Sequence, residues 1–262
     1  MTEQQSTIGE AITELTRSVG IRSGARVSRN SSAATCTLCS NARLCLPHGL
    51  ERTRLHEFEC IVDEVGPLHA GNFVFRDGDE FTALYAVRAG MVKTYSIDRE
   101  GREQITGFYL PGELIGLDAI HSQRYRNHAL ALDTSMVCRM NFAKVRELAQ
   151  QWPELQNQLM CTLSSGLAEA DKLRGEYSAD ERMAGFLVDL ARRLEQRGYS
   201  AERLYLLMER RDIANFLGMA KETISRVLRR FQDEGLIAVD RREVMLLDRA
   251  RLDSLAGAVL RD

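Results

Sequence analysis

Residues 212–231, Asp-Ile-Ala-Asn-Phe-Leu-Gly-Met-Ala-Lys-Glu-Thr-Ile-Ser-Arg-Val-Leu-Arg-Arg-Phe, constrain the fold of this chain more than any other stretch. Small Ala214 lets two helices cross closely and Gly218 permits a sharp turn between them, while Ile213, Leu217, Ile224, Val227 and Leu228 supply a shared apolar core. The pattern predicts a helix-turn-helix. With those faces buried, Lys221, Glu222, Ser225, Arg226 and Arg229 point outward. Residues 203–232 hold seven basic and three acidic side chains, a local excess of positive charge in a chain of formal net charge -2. Such an excess suits phosphate contacts, which give affinity and salt dependence but little sequence information. Base edges would be read by Arg226 bidentate to guanine, Glu222 accepting from a cytosine amino group, and Ser225 adding a shorter contact. Their i, i+3, i+4 spacing puts all three on one helical face. The competing view, a solvated charged face on a structural helix, leaves the agreement of turn glycine, small residue and core pattern unexplained. Residues 235–247 then read as two strands joined at Asp240-Arg241-Arg242, a wing whose arginines could touch the DNA backbone.

A chain of 262 residues has room for two domains. No apolar run approaches the roughly 18 to 20 residues that span a bilayer, and the polar start lacks the apolar stretch of a signal peptide. A cytoplasmic protein without a membrane partner is expected. Residues 1–35, rich in Ser, Thr, Ala and Arg, read as a flexible tail. From about Phe58 to Met140, short apolar stretches are punctuated by Gly78, Gly90, Gly101, Gly107 and Gly116, the mark of short strands closed by turns. Residues 98–103 form a hairpin tip that would be exposed. Trp152-Pro153 opens a long helix in which Leu159, Leu163, Gly166, Ala170, Leu173 and Tyr177 recur at spacings of four and three, a coiled-coil seam. The stripe either packs on the protein's own strands or, as the small residues Gly166 and Ala170 favour, meets a second copy, with Leu167 on the same interface. The amphipathic run 182–197 opens a second, mostly helical domain. No nucleophile-base constellation or phosphate-cradling glycine loop is present, and the five histidines are not spaced as a metal or acid-base set, so an enzyme has little support.

Three cysteines crowd ten residues, Cys36-Thr-Leu-Cys39-Ser-Asn-Ala-Arg-Leu-Cys45. In a reducing compartment such clustering points to metal binding or redox chemistry rather than disulfides. The spacing alone leaves zinc, an iron-sulfur centre and a thiol switch open.

Residues 36–47, Gln104-Ile-Thr-Gly-Phe108, Thr134-Ser-Met-Val-Cys138 and Lys221-Glu-Thr-Ile-Ser-Arg226 together resemble the fumarate and nitrate reduction regulators, the FNR group of the CRP/FNR superfamily. The resemblance covers almost the whole chain beyond the first 30 or so residues. It implies an α+β protein with a β-roll like a cyclic-nucleotide-binding domain and its iron-sulfur loop (36–148), a dimerisation helix (149–178) and a winged helix-turn-helix (179–262). It implies an oxygen-labile [4Fe-4S] cluster held by Cys36, Cys39, Cys45 and Cys138, the distant fourth ligand being chosen by resemblance alone. Ser40 and Leu44, beside ligands, would tune oxygen access or the cluster's hydrogen bonding. A homodimer would bind double-stranded DNA at a palindrome resembling TTGAT-N4-ATCAA, with its two recognition helices about 34 Å apart. Asp98, Glu100 and Gly101 resemble a surface that touches RNA polymerase. Cys60 and Cys161 match no ligand position and read as small buried apolar residues. The family often carries an acidic residue in the dimer helix where this chain, in ungapped register, has Ala170 followed by Asp171. Gly112-Glu113-Leu114 resembles part of a cyclic-nucleotide motif, yet Tyr125-Arg-Asn-His-Ala129 stands where an Arg-Ser pair would follow, so no cyclic nucleotide is expected.

Overall fold

The computed structural model describes residues 35–172 and 175–260; the expected tail lies outside them. Two short 3-10 turns, Cys36–Leu38 and Ala42–Leu44, lead into helix α1 (Arg52–Glu59). The strands β1 (Val62–Leu68), β2 (Phe73–Phe75), β3 (Ala83–Ala89), β4 (Val92–Ile97), β5 (Glu103–Tyr109), β6 (Leu114–Ile115), β7 (His128–Ala131) and β8 (Ser135–Asn141) follow, with the short helix α2 (Ala119–Ser122) between β6 and β7. They form two four-stranded antiparallel sheets, β1-β8-β3-β6 and β2-β7-β4-β5; the glycine-punctuated segment pointed to a sandwich or roll, and the resemblance to a roll. In the first sheet Val65, Val87 and Val137 align in register on the face that lines the roll. Strand pleating turns Glu64, Ala86 and Cys138, also in register, to the opposite face. That second face is covered by the cysteine loop and by Phe58 of α1.

Helix α3 (Phe142–Gln151) starts where the Asn141 side chain caps the Lys144 N–H, and ends before Pro153. Helix α4 (Pro153–Lys172) is the long helix, shorter at both ends than 149–178; Tyr177 lies beyond it. Ser178 and Glu181 close a reciprocal capping box on α5 (Ala179–Glu195). Next come β9 (Arg203–Tyr205), α6 (Arg210–Phe216), α7 (Lys221–Asp233), β10 (Ile237–Asp240), β11 (Glu243–Leu246) and α8 (Arg249–Ala256). The wing turns at Arg241, as expected, but its sheet has a third strand, β9, paired to β11.

The two domains do not keep separate cores. Met91, Tyr95, Ile105 and Phe108 of the roll join Leu187, Ile213, Ile224 and Phe231 in one apolar cluster. Phe108 meets Phe186 and Phe216 edge-on. Three polar attachments reinforce the seam. Lys93 Nζ lies 2.7 Å from Asp212 Oδ2, both side chains almost wholly buried. The Asn215 amide donates to Glu103 O at 2.6 Å and accepts from the Ile105 N–H at 2.7 Å, along the open edge of β5. Glu113 receives Arg193 Nη2 at 2.5 Å and Arg197 Nη2 at 2.7 Å. Burial works against charge on Arg193, but the facing Glu113 and then Asp189 raise its pKa above the ordinary value.

Candidate cysteine centre and nucleic-acid interface

Cys36, Cys39, Cys45 and Cys138 line one small cavity of about 20 Å³. Three come from the loop; Cys138 comes from β8 on the sheet beneath. The loop is seated by few contacts. The Thr37 N–H and hydroxyl donate to Glu59 Oε1 at 2.9 and 2.6 Å, tying the first turn to α1. Asn41 Nδ2 donates to Arg88 O at 3.3 Å. Leu44 rests on Gly112, where a Cβ would come within 2.9 Å of the Leu44 Cβ and where φ is +94°, so only glycine serves there. Leu38 at the crest is 85% exposed. Of the two loop residues expected to tune the site, Ser40 is exposed and Leu44 half-buried.

The thiols disturb one another. Burial, then Cys138 and Glu59, push the Cys36 thiol up to about 12. Burial, then Cys138 and Cys36, push the Cys45 thiol up further. Burial also raises Cys138, opposed by the adjacent Arg88. Four thiolates gathered here repel one another and need a cationic centre to coexist, because a metal takes cysteine only as thiolate. In number and kind the donors match the four-thiolate complement of a [4Fe-4S] cluster. As placed, no set of three or more His, Cys, Asp or Glu among the described residues is drawn together tightly enough to hold a metal ion. A space of this size admits about one water, so a cluster would need the loop to stand further from the sheet. Cys60 and Cys161 correct the sequence reading: both are exposed rather than buried, and all six cysteines are free.

On the other domain, α6 and α7 cross through Ala214, Ile224 and Leu228, with Gly218 at φ +65° in the turn. Ile224, Val227, Leu228 and Phe231 are buried, leaving Lys221, Glu222, Ser225, Arg226 and Arg229 exposed, as the sequence pattern requires. Asp212, counted among the acids of this stretch, is turned inward to Lys93 and does not oppose phosphate. Between the domains, Leu155 of α4 is buried and Leu159 packs partly on the roll. Beyond them the stripe is uncovered: Leu163 is 39% and Leu167 71% exposed, and nothing lies within 4 Å of a Cβ built on Gly166. Ala170 sits in the last turns of α4, and Leu173 lies outside the described residues. At the β4–β5 tip the Asp98 carboxylate accepts from the backbone N–H groups of Glu100 and Arg102, both at 2.9 Å. This holds Asp98, Glu100 and Gly101 in an ordered exposed turn.

Glu59, Arg88, Asn215 and the Glu113 attachment could not be foreseen from the sequence pattern. Each acts across a tertiary contact between segments far apart in the chain.

A roll fused to a winged helix-turn-helix defines a DNA-binding regulator rather than an enzyme. The family model for the Crp-like helix-turn-helix domain matches residues 181–255 and that for the cyclic nucleotide-binding domain residues 66–151. The chain is 44% identical to the transcriptional activator protein anr of Pseudomonas aeruginosa, over 87% of this chain and 94% of that protein. It is 40% identical to the fumarate and nitrate reduction regulatory protein of Escherichia coli, over 88% and 94%. The solved structure of FixK2 from Bradyrhizobium japonicum matches with a TM-score of 0.65 and 27% identity, over 74% of this chain and 96% of that one. The chain belongs to the FNR group of the CRP/FNR transcription regulators. No helix among the described residues is long and apolar enough to cross a membrane.

Proposed function

We propose that the protein is an oxygen-responsive transcription activator in which Cys36, Cys39, Cys45 and Cys138 hold a [4Fe-4S] cluster and a homodimer reads a palindrome resembling TTGAT-N4-ATCAA. The observation that carries this reading is the convergence of four thiols, from two segments remote in sequence, on one cavity. When bound, the cluster supplies an oxygen-labile centre that offsets the charge of the four thiolates. The chain's own residues then connect the loop to the dimer helix: Thr37 to Glu59 on α1, and Arg54 of α1 to Glu154 at the start of α4, 2.7 Å apart. A loop seated on its thiolates keeps α1 and the first turn of α4 in place, so that Leu163, Gly166 and Leu167 meet their counterparts in the second copy, with Ala170 and Leu173 extending the seam. A released loop slackens that hold, and a monomer keeps only one half-site.

In DNA recognition Glu222, Ser225 and Arg226 read base edges, while Lys221 and Arg229 bond phosphate. The tip at Asp98, Glu100 and Gly101 is the surface offered to RNA polymerase. Cyclic nucleotides are not ligands in this reading, since residues 125–129 lack the Arg-Ser pair and the Glu113 carboxylate is already held by Arg193 and Arg197. Calorimetric titration with cyclic AMP and cyclic GMP should show no heat of binding.

The deciding experiment is anaerobic purification with iron, sulfide, visible absorption, sedimentation and DNA binding followed during exposure to air. About four iron and four sulfide per chain, a broad band that bleaches, and parallel loss of dimer and DNA affinity are expected. A colourless protein that binds DNA equally in air would replace this reading with a zinc or thiol regulator. Arg226→Ala should cost about 1–3 kcal/mol at one base pair per half-site and relax preference there. Uniform weakening on every sequence would make Arg226 a phosphate contact instead.

A further inference from the structure

We propose that Arg88, poised by Glu64 at the rim of the cysteine cavity, is the charge partner of the Cys138 sulfur and sets the oxygen sensitivity and reduction potential of the bound centre; this rests on the cluster reading above. Arg88 is the one charged side chain among the described residues that line the cavity; the others are the four cysteines, Asn41 and apolar groups or glycine. Its place follows from strand geometry. Ala86 of β3 lies directly opposite Cys138 of β8, and Arg88, two residues on, stands unpaired at a register shift between Val87 and Ala89 and lines the cavity. The same register sets Glu64 of β1 opposite Cys138 from the other side, and Arg88 Nε reaches Glu64 Oε1 at 3.2 Å. The guanidinium is therefore anchored to a carboxylate on the rim of the cavity that Cys138 also lines.

Two properties make this arrangement more than a surface ion pair. First, arginine keeps its charge at any physiological pH and presents several donors in a rigid plane, so the sulfur faces a permanent cation. Second, the side chains are largely covered, with 27% of Arg88 and 19% of Glu64 exposed, which limits screening by water and salt. Charge and hydrogen bonding at the sulfurs, together with solvent exposure, are the means by which a protein moves an iron-sulfur potential. A cation beside Cys138 disfavours withdrawal of an electron from the thiolate-bound centre and so slows its loss to oxygen. Glu64 offsets part of that cation and restrains the effect.

The test uses the full chain purified without oxygen, comparing the parent with Arg88→Lys, Arg88→Gln and Glu64→Gln by iron and sulfide content, potential from a spectroscopic redox titration, and bleaching rate in air. Arg88→Gln should still take up iron, titrate at a lower potential and bleach faster, on the order of threefold to tenfold. Arg88→Lys should restore most of the parent's behaviour, because it returns the charge. Glu64→Gln, which frees the guanidinium from its carboxylate, should move potential and rate in the opposite direction. An Arg88→Gln protein that loads iron and matches the parent in both readouts overturns the inference. If Arg88→Gln does not fold or load, Glu64→Gln decides: an unchanged potential and rate overturn the inference, and the opposite shift upholds it. A parent without iron and sulfide removes the cluster reading itself, and with it this inference; a parent that loads normally while the variants match it removes only the role of Arg88.

Discussion

Cys138→Ser purified without oxygen should be colourless, hold well under one iron per chain against about four in the parent, and bind DNA no better than the air-exposed parent. Cys138 is the one member of the cysteine set that stands on the roll, on β8 beneath the loop. Without it the loop retains three thiols on a segment tethered by Thr37, Asn41 and Leu44, with no thiol on the sheet beneath. Serine keeps the size but offers a hard, protonated oxygen where a soft thiolate is needed. Cys60→Ser and Cys161→Ser are the matched controls, since both residues are exposed and lie away from the cavity; each should keep the parent's iron content. Full iron and sulfide in Cys138→Ser would remove the fourth ligand from the proposed set.

Asp212→Ala should destabilise the protein by about 3–5 kcal/mol in urea melts, because it leaves Lys93 buried with no carboxylate to face. The contact joins β4 of the roll to the first helix of the reading motif, so the loss falls on the domain seam rather than on either domain alone. The paired replacement Lys93→Met with Asp212→Leu removes both charges together. It should recover most of that loss, since a well-packed apolar pair is often as stable as the buried ion pair it replaces. A single-mutant loss below about 1 kcal/mol would place the pair in the class of exposed bridges and rule out a buried seam in solution.

The reading motif was legible from residues 212–231 because its constraints are local. Ala214, Gly218 and the apolar positions all act within two adjacent helices, and the structure buries and exposes them as the spacing requires. The short strands of the roll were legible from their turn glycines and apolar stretches for the same reason. Strand β9 was not: it is three residues long, and only Leu204 among them is buried. The seam between the domains escaped notice because Tyr95, Ile105 and Phe108 look like any half-buried face; what covers them lies in residues 183–256. Cys138 shows the same limit. Resemblance chose it, but its position opposite Ala86 and Glu64 exists only once β1, β3 and β8 have paired. Cys60 and Cys161 failed in the other direction, because composition says that free cysteines are usually buried and cannot say which turn of a helix faces water.

Asn215 carries a consequence for the life of the protein in a cell. Its amide occupies backbone groups on the outer strand of a sheet that would otherwise present bare N–H and C=O groups to solvent. An unprotected sheet edge invites pairing with another chain and aggregation. Any working motion that lifted the DNA-reading domain off the roll would uncover that edge along with Phe108 and Ile105. The docked domain thus covers part of the β5 edge. Expressed without residues 179–262, the roll should be prone to self-association through this strand even with its cysteine loop intact.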